Sequence, residues 1–278
     1  MNLAKHYSSP IINADSRQLY KELPIGTAAP SKKQLQEVTH YFIGTLNLED
    51  YYSAAQYEYD VLQLTNKLFN THDILLLSGG SMMYIDAVCN GIDDIPMVDD
   101  ETRTFMQKHL KEKGLETLCE ELRVLDPRHY EKIDKRNTKR IVHALEICYM
   151  TGKPYSSFLN NTKKERPFNI IKIGLQRPRE ELYQRINKRV DLMIAQGLEK
   201  EAQNVYHKRD YNSLNTVGYK ELFNYFDGIW NKDLAIEKIK RSTRIYSRKQ
   251  MTWFKRDNAI KWFHPNDIKQ IIKYIDCN

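Results

Sequence analysis

The 278-residue sequence predicts an α/β protein, and three observations support that prediction. Two short apolar runs, Ile11–Ile12 and residues 73–77, end in polar or glycine-rich turns, which is typical of buried parallel strands. Between them, residues 53–69 place apolar side chains at helical spacing. A strand, a helix and a second strand in this order predict a crossover unit, and therefore a parallel sheet.

The later elements follow from the same periodicities. After residue 96 the sequence becomes charged and helical as far as about Thr151. Residues 170–175 predict another short strand, and mostly helical sequence follows. The simplest arrangement is an α/β core formed by residues 1–96 and 156–278, with a helical insertion at residues 97–155.

Several classes of protein are excluded by composition. No stretch approaches the roughly 18 apolar residues of a membrane span, and the first residues lack the apolar core of a signal peptide. The four cysteines lie far apart without a Cys-x-x-Cys pair, which argues against a zinc site or a disulfide framework. We therefore expect a cytosolic protein, as a monomer, and predict no metal-ligating residue from the pattern.

Charge is distributed unevenly along the chain. Residues 1–100 contain 6 lysines and arginines against 13 acidic residues, whereas residues 101–278 contain 37 against 23. A basic half on an otherwise acidic protein is typical of a partner with a phosphate backbone. A set of well-solvated charged helices is the alternative.

Asp15 is the first candidate for chemistry, because it follows directly after the predicted strand at Ile11–Ile12. In open α/β sheets, ligands bind at the carboxyl ends of the strands. The Ser78-Gly79-Gly80-Ser81 turn follows the next predicted strand and opens a helix. Glycines and a helix amino terminus suit a polar or anionic ligand, although a tight turn without any ligand has the same sequence.

Two helices in the second half carry candidate phosphate contacts. Residues 233–257 predict a helix with one cationic face and one packing face, and the packing face includes Tyr246, Gln250 and Trp253. Residues 241–261 contain seven basic residues against one acidic residue. The cationic face includes Arg241, Arg244 and Arg248. Arg185 and Arg189 form an i,i+4 pair on another amphipathic helix, where they are either a phosphate or diphosphate clamp or ordinary surface residues.

Taken together, six segments resemble the tRNA dimethylallyltransferase family, also called tRNA isopentenyltransferases. The resemblance runs in the family's order from about residue 3 to residue 265. The matching segments are IINADSRQLYKELPIGTAAPS, SGGSMMYIDAVCNGIDDIP, NTKRIVHALEICYMTGKPYS, RxxLxxRIxxRVDxM, NTVGYKE and TRIYSRKQMTWFKRD.

This resemblance implies a fold and a reaction. The implied fold is a P-loop NTPase-like parallel-sheet core with a helical insertion that contacts the anticodon arm of tRNA. The implied reaction transfers a dimethylallyl group from dimethylallyl diphosphate to N6 of the adenosine 3′-adjacent to the anticodon. Mg²⁺ is the implied cofactor.

The resemblance also assigns roles to individual residues. Asp15 matches the proposed general base, and Arg189 matches an arginine near the reacting groups. The helical pair with Arg189 makes Arg185 the second candidate diphosphate ligand. Asp15 also belongs to the implied tRNA contacts, which include the basic face of residues 233–257. These contacts are Asp15, Ser16, Arg17, Gln18, Ser81, Lys139, Arg140, Ile141, Val142, His143, Arg241, Arg244 and Arg248. The family usually has Arg where this chain has His143, so one cationic contact is expected to be weaker or pH-dependent.

One family feature is missing from the 278 residues. The family begins with a strand and a glycine-rich phosphate loop, and no GxxxxGK[ST] sequence occurs in this chain. We expect transfer of the dimethylallyl group by these 278 residues to be impaired. A misassigned start or a truncation would explain this feature, as would a degenerate tRNA-binding protein without activity. A nucleotide kinase with the same α/β core is a third hypothesis. Such an enzyme would also require the phosphate loop, and the basic helix would have no role in it.

Overall fold

The chain forms two units, and the second lies in the sequence between the two segments of the first. The structure is a computed structural model, and it describes residues 1–160 and 162–278. The first unit consists of Met1–Cys89 and Arg166–Asn278, and the second consists of Asn90–Glu165.

The second unit is longer at both ends than the predicted insertion, residues 97–155. The reason is that its two connecting segments bond to each other. The backbone N–H of Lys164 donates to the carbonyl of Asn90 at 2.8 Å, and the Lys164 ammonium lies 2.7 Å from the carboxylate of Asp94. Both segments therefore belong with the helices between them.

The first unit contains parallel strands in two sheets. The strands are β1 (Ile11–Asn13), β2 (His40–Tyr41), β3 (Leu76–Ser78), β4 (Ile173–Leu175) and β5 (Lys261–Phe263). One sheet has the order β2-β1-β3, and β4 pairs with β5 in the other. All these pairings are parallel, with Ile11 opposite both His40 and Leu76. The predicted strands near 11–12, 73–77 and 170–175 are confirmed.

Burial differs between the two strands that the sequence predicts to be buried. All three residues of β1 are buried, whereas Leu76 and Leu77 of β3 are half-buried and Ser78 is exposed. The prediction of a buried strand was wrong for β3, which lies at the end of its sheet and, within the described residues, pairs with β1 alone.

Helices make up most of the rest of the described chain. Those that surround the sheets are α1 (Asn2–His6), α2 (Lys32–Glu37), α3 (Ala54–Leu68) and α4 (Met82–Asn90). The second unit contains α5 (Asp100–Leu125), α6 (Pro127–Tyr130) and α7 (Thr138–Thr151). The remaining helices are α8 (Arg179–Ala195), α9 (Leu198–Val205), α10 (Tyr219–Phe226), α11 (Lys232–Phe254) and α12 (Ile268–Asp276).

Each unit has its own apolar core. In the first unit, Ile12 and Leu19 pack with Tyr57 of α3, and a second cluster joins α8, α9, α10 and α11 around Tyr219. In the second unit, Met106 and Leu118 of α5 pack against Ile141 of α7. Within the described residues, no helix is long and apolar enough to cross a bilayer.

Candidate active site

The carboxyl ends of β1 and β3 lie at the same edge of their sheet, and Asp15 is located there. The N–H of Ala14 donates to the carbonyl of Ser78 at 2.8 Å, and the N–H of Ser81 donates to the carbonyl of Ala14 at 3.1 Å. These two bonds join the segment that carries Asp15 to the glycine turn after β3. The two segments that the sequence singles out as candidate sites therefore lie side by side.

Gly79 makes this close approach possible. A Cβ atom on Gly79 would lie 2.2 Å from the carbonyl carbon of Ala14, so no other residue fits without moving the backbone. The buried hydroxyl of Ser81 accepts a hydrogen bond from the N–H of Ser16 at 2.8 Å and donates one to the Ser16 hydroxyl at 3.0 Å. Ser81 therefore fixes the backbone next to Asp15.

The carboxylate of Asp15 is half-buried and anchored to its own loop. It accepts the N–H of Arg17 at 2.9 Å, while Asn13 bonds both the N–H and the carbonyl of Asp15 at 3.1 Å. Burial raises the pKa of Asp15, against the lowering effects of the N–H groups of Arg17 and Gln18 and of nearby arginines. A carboxyl group with a raised pKa at a strand end is a candidate proton acceptor.

The charge of Arg189 on α8 acts on the same carboxylate, and the Arg189 side chain is exposed. Among the described residues, Asp15 and Arg189 do not approach within the 4.0 Å of an ion pair. Partial desolvation lowers the pKa of Arg189 and Asp15 raises it, but a guanidinium stays protonated at neutral pH. A fixed cation near a carboxylate can stabilise a leaving anion while the carboxylate accepts a proton.

Arg185 lies one helical turn before Arg189 and is exposed. Within the described residues it makes no hydrogen bond or ion pair. Both arginines of the predicted pair are exposed, and of the two it is Arg189 whose charge acts on Asp15.

Two tyrosines near Asp15 were not predicted as site residues. Tyr246 of α11 is 40 % exposed, and burial together with the charge of Asp15 raises its pKa. Tyr84 also interacts with Asp15, and its ring stacks on Tyr57 with the centroids 4.1 Å apart. The sequence placed Tyr246 on the packing face of its helix, and no local pattern distinguishes a tyrosine beside a site from one inside a core.

Arg17 and Gln18 extend from the Asp15 loop, and both are bound to neighbouring backbone. The guanidinium of Arg17 donates to the carbonyls of Asn212 and Ser213, each at 3.1 Å. The side-chain amide of Gln18 donates to the carbonyls of Thr27 and Ala28.

The predicted basic helix is α11, and its two faces differ as expected. On the packing face, Gln250 donates to the carbonyl of Gly80 at 2.8 Å and Trp253 donates to the carboxylate of Asp86 at 2.7 Å. Among the described residues, the exposed side chains of Arg241 and Arg248 have no hydrogen-bond or ion-pair partner. A cavity of about 390 Å³ lies beside this face and is lined by Met82, Ile245, Arg248, Lys249, Thr252, Trp253 and Arg256.

Arg244 differs from the other two predicted cations of this face. It is half-buried, donates to the Asn187 side chain at 2.6 Å, and lies 5.9 Å from the ring centroid of Tyr183. The sequence pattern placed Arg244 on the free cationic face. The structure places it against α8, so it is a poorer candidate for a phosphate contact.

In the second unit, the predicted contact segment begins α7. Lys139 and Arg140 are exposed and Val142 is half-buried. Ile141 is 0 % exposed and packs in the core of this unit, so its side chain is not available to a ligand, contrary to the prediction. His143 lies 3.3 Å from the carboxylate of Glu146, which would offset its charge when it is protonated.

The described residues contain no complete magnesium site made by the protein alone. Within them, no group of three or more His, Cys, Asp or Glu side chains could hold a metal ion. The charges of Arg17 and Arg189 act on the Asp15 carboxylate instead.

Comparison with known proteins identifies the family. The sequence model of the family described as IPP transferase matches residues 18–257. This chain belongs to the IPP transferase family. A tRNA dimethylallyltransferase 1 of Phocaeicola vulgatus is 62 % identical over 99 % of this chain and 92 % of that protein. A second, from Bacteroides fragilis, is 59 % identical over 100 % of this chain and 92 % of that protein.

Solved structures share the fold. The full-length tRNA isopentenylpyrophosphate transferase of Bacillus halodurans superposes with a TM-score of 0.70 at 31 % identity, over 99 % of this chain and 89 % of that one. A eukaryotic dimethylallyltransferase acting on tRNA has a TM-score of 0.80 at 23 % identity, over 96 % and 70 %, and shows the fold alone. These neighbours have a P-loop NTPase-like core, so the predicted fold class is confirmed.

Proposed function

We propose that this IPP transferase family member transfers a dimethylallyl group from dimethylallyl diphosphate to N6 of the adenosine 3′-adjacent to the anticodon of tRNA. The observation that carries the proposal is Asp15 at the strand edge beside the glycine turn, with the charge of Arg189 acting on it. A proton acceptor and an anion-stabilising cation are the two groups that this substitution needs. We expect the reaction to occur in the cytosol.

The chemistry assigns one task to each group. The adenine amino nitrogen forms a bond to the allylic carbon while the bond from that carbon to the diphosphate oxygen breaks. Asp15 accepts the proton from the nitrogen, and the electron pair of the broken bond leaves with the diphosphate near Arg189. The base must leave its stack to reach Asp15, because base edges in a stacked loop are not accessible to such a group.

The exposed cations of α11 support tRNA as the substrate. Phosphate contacts by lysine and arginine supply most of the affinity of such complexes, and Arg241 and Arg248 are free to make them within the described residues. We propose that exposed Lys139 and Arg140 of the second unit make further contacts to the anticodon arm.

Transfer of a labelled dimethylallyl group to tRNA tests the proposal. The reaction is followed in a chain that carries the strand and phosphate loop of the family, because the 278 residues contain no GxxxxGK[ST] sequence. We expect that chain to bind tRNA and to transfer the group. Binding without transfer would favour a tRNA-binding protein without activity and would overturn the proposal.

We predict that Arg241→Ala and Arg248→Ala weaken tRNA binding and reduce its salt dependence. Each lost phosphate contact should lower the slope of log affinity against log salt by about one. Titrations at several salt concentrations measure this slope. Lys232→Ala is the control on the same helix, since that ammonium lies 2.6 Å from Glu199. An unchanged slope in both arginine variants would show that this face contacts only solvent.

A further inference from the structure

A buried carboxylate outside the site, that of Glu201 on α9, binds the loop that follows the Asp15 segment. One Glu201 oxygen accepts the N–H of Ile25 at 2.8 Å, and the other accepts the N–H of Gly26 at 2.8 Å and the hydroxyl of Tyr219 at 2.6 Å. Glu201 is 8 % exposed. Three donors on one buried carboxylate make a strong, charge-assisted cluster that fixes the loop backbone.

Tyr219 closes this cluster from the other side. It is 0 % exposed, and a Cβ atom on Gly26 would lie 2.5 Å from its hydroxyl oxygen. The backbone at Gly26 therefore packs directly against the Tyr219 ring. The loop cannot shift without breaking bonds to Glu201 or overlapping this ring.

The fixed loop points two carbonyl groups at Gln18. The side-chain nitrogen of Gln18 donates to Thr27 at 3.0 Å and to Ala28 at 3.2 Å. Ala28 has φ 52°, in the left-handed region that alanine rarely adopts. Such strain persists only where surrounding contacts enforce it, and it often marks a functional segment.

These bonds determine what Gln18 can offer to a ligand. Its amide carries two N–H donors, and two carbonyl oxygens occupy them. A flipped amide would place its oxygen against those same carbonyls, so the orientation is determined by the surroundings. Within the described residues the Gln18 side-chain oxygen accepts no hydrogen bond. Gln18 can therefore act toward a ligand only as an acceptor.

We propose that Glu201 is a positioning residue for Gln18. By fixing the loop at residues 25–28, Glu201 holds Gln18 so that its side-chain oxygen accepts a hydrogen bond from an exocyclic amino group of a base in the anticodon loop. The proposal rests on the proposed function, since it takes the ligand to be tRNA. Gln18 is half-buried, and its side-chain oxygen would be covered by a bound RNA. A fixed acceptor of this kind discriminates between bases, because a covered oxygen stays unpaired when the base has no amino group. Glu201 acts through the loop and does not itself touch the RNA.

Binding of an anticodon stem-loop RNA series to the 278-residue chain tests this role. In each RNA, one loop base is replaced by its analogue without the exocyclic amino group. We expect the unaltered chain to bind at least one analogue about tenfold more weakly, as the loss of one such hydrogen bond implies. In Glu201→Gln the ratio of the affinities for the unmodified RNA and for that analogue should fall below about threefold. The reason is that a side-chain N–H of Gln would face a backbone or tyrosine donor, so the loop would lose a hydrogen bond.

Glu221→Gln is the matched control. Glu221 is also 8 % exposed and accepts a backbone N–H, that of Gly218 at 2.8 Å. In the described part of the chain it makes no hydrogen bond to the loop at residues 25–28. It should keep the discrimination. Hydrogen exchange of Ile25 and Gly26 without RNA should accelerate in Glu201→Gln and not in Glu221→Gln. Tyr219→Phe keeps the ring and should lose less of the discrimination between the RNA and its analogue. It replaces Glu201→Gln in the test if that variant does not fold.

The outcomes separate the two proposals. If the unaltered chain binds no RNA, the proposed function fails, and this inference fails with it. If it binds RNA but treats all analogues equally, only the inference fails. Retained discrimination in a Glu201→Gln variant with accelerated exchange, or an equal loss in Glu221→Gln, would also overturn the positioning role.

Discussion

Replacing Asp15 with Asn is expected to slow dimethylallyl transfer about 10²–10⁴-fold, the usual effect of losing a general base. The adenine amino group is a poor nucleophile because its lone pair is delocalised into the ring. Asn keeps the size and one acceptor oxygen but cannot take the proton. Single-turnover transfer by a chain that carries a phosphate loop measures the effect.

Affinity for tRNA should change far less in the same variant, because phosphate contacts supply most of the binding. Asp60→Asn is the matched control. Asp60 is a carboxylate of the same unit that accepts hydrogen bonds from Tyr52 and Gln56, and it is not part of the Asp15 site. Its variant should keep the transfer rate.

The pH dependence of transfer gives a second test of Asp15. Burial raises the pKa of this carboxyl, so the active carboxylate form should be lost at a higher pH than for an ordinary aspartate. The transfer rate should therefore fall as the pH is lowered through the raised pKa of Asp15. A rate that does not change down to the ordinary aspartate pKa would contradict the assignment as general base.

Stability separates a catalytic Asp15 from a structural one. Because folding raises this pKa, the contribution of Asp15 to stability is present in full below the ordinary aspartate pKa and is lost as pH rises through the raised value. At neutral pH the charged group therefore opposes folding, and Asp15→Asn should not destabilise the protein. A variant that loses stability but keeps its chemical step would show that Asp15 only caps its turn.

The sequence predicted Asp15 because the signal is local. An apolar run followed by a carboxylate identifies a strand end, and the two strand ends meet because parallel strands share an edge. The effect of Arg189 on Asp15 depends instead on how α8 packs with α9, α10 and α11. From sequence, Arg189 and Arg185 were equivalent, and only the resemblance separated them.

Other differences have equally physical causes. The sequence did not predict β2 and β5, because strands of two and three residues are too short to show a periodicity. Arg244 was predicted as a tRNA contact from its helix face and Ile141 from a family segment. Neither signal shows that Arg244 donates to Asn187 or that Ile141 is buried in the core of the second unit. Tertiary packing decided both positions.

Replacing Arg166 with Met is expected to lower the free energy of unfolding by about 3–5 kcal/mol, the usual cost of breaking a buried ion pair. The Arg166 and Glu58 side chains are 6 % and 7 % exposed, and their nearest charged atoms are 2.6 Å apart. Arg166 also donates to the carbonyls of Ala87 and Val88 at 2.7 and 2.8 Å, near the end of α4. Met fills similar space but supplies none of these donors.

Urea denaturation measures this loss as a shift of the midpoint. Lys5→Met is the surface control, because the Lys5 side chain is 53 % exposed in its pair with Glu37, and such pairs contribute only about 0–1 kcal/mol. The double variant Glu58→Leu, Arg166→Met should recover part of the loss, since it removes the buried charge together with its partner. Recovery should be incomplete, because the carbonyls of Ala87 and Val88 lose these donors in both variants. A loss in Arg166→Met no larger than in Lys5→Met would show that Arg166 does not anchor α4.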